Sequence, residues 1–184
     1  MFRIILLAAL MFTSNLVIAS QKVNPFPSLS CSNKVHIRVV DLVYCVDSTT
    51  LSKINFLGLS NQTVVVTSQD QNELAIALNP PEISLGDMHK KLNMSVNEFF
   101  HALYHSDPKV KNIAKLRSAF DIDENNPMNV YQNGDIFAFV VIGENQDYDR
   151  VYINRKGSDV IYQISGEFNQ SQLNRILSSL ILDL

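Results

Sequence analysis

Glu98, His101 and His105 have the spacing of a metal site carried on one helix. The His-x-x-x-His interval sets two imidazoles a turn apart, as a zinc pair requires, and the carboxylate lies one turn earlier. Zinc held there would activate water, and the corresponding reaction is metal-assisted hydrolysis. Helical angles put this stripe opposite Val96, Phe100 and Leu103, so it is expected to face solvent. His89 approaches it only if the preceding helix folds back. His-Glu-x-x-His and thiolate ligands are both missing, and a solvated polar face is the expected reading.

The run Asp121-Ile122-Asp123-Glu124-Asn125 is a second metal candidate, for calcium. Oxygen-bearing side chains at alternate positions resemble the opening of an EF-hand loop, with Asp121, Asp123 and Asn125 as its leading ligands. Asn129 and Gln132 fall at the ninth and twelfth places. Asn126 stands where glycine makes the sharp turn, and Gln132 replaces the bidentate glutamate. An acidic connection from helix to strand accounts for the same residues. No cofactor other than calcium or zinc is suggested.

Other chemistries leave less trace. His89 to Val96 resembles a helix-turn-helix turn, but the following helix opens with Glu98, Phe99 and Phe100 and has no base-reading side chain there. With a formal charge of -3, nucleic acid is excluded as the expected partner. Gly58-Leu59-Ser60-Asn61-Gln62 lacks the second glycine of a nucleophile elbow, and phosphate-binding glycine loops do not occur. Binding is the stronger class. Tyr148, Tyr152 and Tyr162 are amphipathic rings on expected hairpins, the kind of residue enriched at protein interfaces, and core packing is their competing role.

The elements that must position these residues can be read from periodicity. Val35, Ile37 and Val39 alternate with His36 and Arg38 as in a half-buried strand, continued by Leu42 to Val46. A short helix is expected from Leu51 to Leu57, capped by Thr49 or Thr50. Thr63 to Thr67 and Glu73 to Leu78 read as paired strands. Helices follow: one capped by Ser84, one opened by the capping box Ser95-Val96-Asn97-Glu98, and one from Asp107-Pro108 to about Phe120. Asp135 to Ile142 is apolar on both faces and suits a central, doubly covered strand. Arg150 to Asn154 and Val160 to Ser165 complete a three-stranded meander. A last helix from Gln170 to Leu182, capped by Asn169 with Gln172, carries an apolar stripe to cover it. The expected fold is α+β: an antiparallel sheet with a C-terminal three-stranded meander, covered by the C-terminal helix and a central helical hairpin.

The chain's beginning sets its expected address. Arg3, an apolar run from Ile4 to Ile18, and Val17-x-Ala19 read as a secretory signal peptide over residues 1–19. An extended leader over 20–33 and one α+β domain over 34–184 are expected to follow. Removing Arg3 with the signal takes the charge from -3 to -4. No second run approaches the length of a membrane helix, so no membrane partner is expected after cleavage. Cys31 and Cys45 are an even pair in a compartment where disulfides persist, and a bridge is expected between them. Together these features suggest a small exported protein, periplasmic or secreted, that is non-enzymatic and binds or inhibits an extracytoplasmic macromolecule, most simply a protein. The hydrolase built on Glu98, His101 and His105 is the alternative.

Overall fold

The computed structural model describes residues 22–58, 62–143 and 148–182; the expected signal peptide lies outside them. In chain order the elements are β1 (Asn24–Pro25), β2 (Val35–Val39), β3 (Leu42–Val46), β4 (Leu51–Leu57), β5 (Thr63–Ser68) and β6 (Glu73–Asn79). Then come α1 (Pro81–Ser84), α2 (Met88–Lys91), α3 (Val96–His105) and α4 (Ile113–Ala119). The chain closes with β7 (Met128–Asn133), β8 (Ile136–Val141), β9 (Asp149–Arg155), β10 (Ile161–Gly166), α5 (Gln170–Ser178) and β11 (Leu180–Leu182). The fold is α+β. An eight-stranded sheet runs β1-β7-β8-β9-β10-β6-β5-β4, and a three-stranded sheet runs β11-β3-β2. Except for the parallel β1–β7 pair, all neighbours are antiparallel.

β8 shows why the large sheet needs two covers. Ala138 and Val140 face the side carrying α5 and the small sheet, where Val64, Ile76, Val151, Ile164, Leu173 and Ile176 are buried. Phe137, Phe139 and Val141 face the opposite side and pack with Phe99, Phe100, Leu103 and Phe120. Alternation along one strand therefore feeds two cores, as its all-apolar composition requires. The β7–β8 turn is two residues long, and Gly134 takes a φ of 59° at its first position, as a tight hairpin of this length demands.

The meander β8–β9–β10 forms as its sequence implies, but the sheet extends well past it. β7 lies where the sequence suggested only a loop, and it pairs with β8 along its whole length. Leu51–Leu57 is a strand and not a helix. The edge of β5 decides it, offering backbone partners from Thr63 to Ser68. The Ser84 cap is also replaced: α1 begins at Pro81, and Ser84 closes it by donating to the Pro80 carbonyl at 3.3 Å. Gly86 and Asp87, at φ 54° and 57°, then separate α1 from α2. After Asp107 the chain turns, with Asp107 Oδ1 accepting from the Lys109 N–H at 2.9 Å, and helix resumes only beyond Asn112 at φ 62°.

The last helix also ends earlier than its apolar stripe implies. α5 stops at Ser178, and β11 pairs Leu180–Leu182 with Tyr44–Leu42 of β3. The Cys45 N–H donates to the Ser179 carbonyl at 2.8 Å, so the small sheet takes up backbone groups that a longer helix would have left facing it. Two features seat α5. Its capping box is complete, Asn169 Oδ1 accepting from Gln172 N–H and Gln172 Oε1 from Asn169 N–H. The buried Asp149 carboxylate accepts from Phe168 N–H at 2.8 Å and from Gly143 N–H at 3.3 Å. The Cys31–Cys45 disulfide is formed, with Cα atoms 5.3 Å apart, and fastens the leader to β3.

Candidate functional site

Ser95 fixes the histidine face of α3. Its Oγ accepts from Glu98 N–H at 3.3 Å, and the Glu98 carboxylate accepts from Ser95 N–H at 2.8 Å and from its hydroxyl at 2.9 Å. These bonds, the backbone one first, hold the Glu98 carboxyl below its ordinary range. One turn apart, His101 and His105 stack with ring centroids 6.0 Å apart. They share an open groove of about 440 Å³ with Leu92, Met94, Glu98 and Asp107.

Glu98 and His105 are exposed, as their helical angles imply, but His101 is half-buried. His101 stands edge-on to Phe137 at 5.1 Å and to Phe139 at 5.2 Å, because β8 passes beneath α3 and presents both rings. His89 does not complete a site: it is buried on α2 and does not line the groove. Among the described residues no three His, Cys, Asp or Glu side chains gather closely enough to hold a metal. What the groove offers is an imidazole pair over an apolar wall, with its carboxylate spent on a helix cap.

The histidine pair has a pH signature. Burial first, and then the charges of His105 and Lys156, push the His101 imidazole below its ordinary value of 6.5. The unfolded chain therefore takes up this proton more readily than the folded one. The stabilisation is complete above about pH 6.5 and is lost as pH falls below it towards the folded value. Melting temperatures between neutral pH and pH ~5 should fall further for the wild type than for His101→Asn. Equal slopes for the two proteins would remove His101 from the acid response.

The other expected ligands are engaged within the fold. Asp121 pairs with Arg150 of β9. Asp123 Oδ1 accepts from the N–H groups of both Asn125 and Asn126 at 2.8 Å, closing the loop on itself. Asp123 to Asn126 thus form a self-bonded turn that delivers the chain into β7, where an EF-hand would continue into a helix.

The tyrosines divide. Tyr148 is 57% exposed and remains available to a partner. Tyr152 is only 5% exposed, held between Phe100 at 5.1 Å and Phe120 at 5.8 Å. Tyr162 is 2% exposed and its hydroxyl accepts from Asp41 N–H at 3.2 Å. Burial raises the phenol pKa of both. Neither can present its ring to a partner. Each lies on a strand covered on both faces, so its place in the alternation buries it.

A recess that sequence reasoning missed lies between α5 and the β5–β6 turn. It measures about 360 Å³ and is floored by Val46, Val66, Phe168 and Ile176. Glu167 and Arg175 stand on its rim together with the β5–β6 turn, where Ser68 and Asn72 bond the Asp70 carboxylate and lower its pKa. Among the described residues neither Glu167 nor Arg175 has an ion-pair partner. The size falls in the range of roughly 300–1,000 Å³ usual for ligand pockets. Its walls come from β3, β4, β5, β6 and α5, so no local spacing could have announced it. No family model, curated protein or solved structure matches this chain.

Proposed function

We propose that this chain is an exported protein, periplasmic or secreted, that binds a macromolecular partner without catalysing a reaction on it. The α5 recess carries the reading. An apolar floor inside a polar rim suits one anchor side chain of a protein partner, with Arg175 and Glu167 selecting the charges around it. The apolar, singly charged start of the chain and the Cys31–Cys45 bridge are compatible with export. Tyr148 adds an exposed ring elsewhere on the surface.

The test is cross-linked capture from the native compartment, with an affinity tag at the start of the leader, because Leu180–Leu182 are paired with β3. A single stoichiometric protein is expected. Arg175→Glu should weaken its capture by about tenfold or more with melting unchanged, the scale of losing a charged contact beside an anchor. Capture that ignores Arg175→Glu, or no partner above background, would overturn the assignment to this recess.

A further inference from the structure

The two edges of the large sheet are built differently. One ends in β1, only two residues long, and Pro25 there has no N–H to offer a further strand. The other ends in β4, seven residues long, with no strand on its outer side among the described residues. A register shift between Leu51 and Lys53 disturbs the beginning of β4, and Ile54 to Leu57 runs on regularly.

The registers show what this edge lacks. A cross-strand row runs Val140–Val151–Ile164–Ile76–Val64–Phe56, each residue opposite the next. Val140 to Val64 are buried core, yet Phe56 at the end is 73% exposed. The neighbouring row, Leu74–Val66–Ile54, ends in a half-buried isoleucine on the same face. Among the described residues the core therefore stops one strand short on this side, and a strand added there needs apolar residues opposite both Phe56 and Ile54.

We propose that a second copy of this chain supplies that strand, β4 pairing with β4 antiparallel about a two-fold axis at Asn55. In this register each Ile54 faces the other copy's Phe56, so both apolar rows continue across the axis. Asn55 faces itself, and Lys53 faces Leu57, which leaves no like charges opposed. Such a contact is isologous, closes as a dimer and removes the open edge. Five paired residues make a small interface, so the association is reversible and concentration-dependent.

The experiment uses the mature protein and three variants. Sedimentation velocity over a concentration series should show a monomer–dimer equilibrium. Phe56→Lys should weaken it by about tenfold or more, since it removes an apolar anchor on each side of the axis. Under mild oxidation Asn55→Cys should form covalent dimers, because facing residues have Cβ atoms about 4.5–5.5 Å apart. Gln69→Cys, on the β5–β6 turn, should not. A wild type that stays monomeric throughout, or cross-linking no greater for Asn55→Cys than for Gln69→Cys, would refute the dimer. So would a monomeric wild type whose captured partner is lost on Phe56→Lys, which would give this edge to another protein. The recess reading is tested separately through Arg175.

Discussion

Phe100→Ala is expected to lower the unfolding free energy by about 3–5 kcal/mol, the usual cost of removing a fully buried aromatic ring. Phe100 is wholly inaccessible to solvent at the centre of the α3 face. Its ring stacks on Phe139 at 4.9 Å and meets Tyr152 at 5.1 Å, Phe99 at 6.0 Å and Phe120 at 6.1 Å. These partners come from β8, β9, α3 and the end of α4, so a cavity here loosens the helical layer and the sheet together. Denaturant unfolding would show a lower midpoint, and Phe100→Leu should recover most of the loss by refilling the volume. A change within about 0.5 kcal/mol, the scale of ordinary surface substitutions, would mean that the helices do not pack on the sheet as described.

Removing the disulfide is the second large effect. Cys31→Ala with Cys45→Ala should cost about 3 kcal/mol, the chain-entropy value for a closed loop of roughly 15 residues. For a chain of this size that corresponds to a fall of about 6–12 °C in melting temperature. The bridge also has a local task. Cys45 lies in β3 between β2 and β11, and Cys31 adjoins Ser30, whose N–H donates to the Ser178 carbonyl at 2.7 Å. Opening it frees the leader next to the end of α5. Wild type in reductant should melt with the double variant, while the double variant itself is insensitive to reductant. If the oxidised and reduced proteins melt together, the bridge contributes nothing to stability.

Much of the architecture was legible because its signals are local. The capping boxes at Ser95 and Asn169 are reciprocal bonds between residues three apart, and both form as the residue types require. The two-sided apolar character of Asp135 to Ile142 announced a doubly covered strand, and that strand, β8, joins the two cores. Two short segments were decided by a distant partner. Leu51–Leu57 becomes a strand because β5 is there to pair with it, and Leu180–Leu182 leaves the helix because β3 is there to receive it. Short apolar runs satisfy either period, and the available edge decides.

The sequence by itself determined the α+β class, the covered strand, the starts of α3 and α5 and the cysteine pair, because propensity, capping and alternation act within a few residues of the chain. Only the tertiary structure decided which chemistry-bearing side chains meet. It set His101 against Phe137 and Phe139, bound Asp121 to Arg150, and buried Tyr152 and Tyr162. It also made the α5 recess from five elements and left Phe56 at the open end of a core row. A site is a coincidence of surfaces from distant parts of the chain, and spacing along the chain records none of those distances.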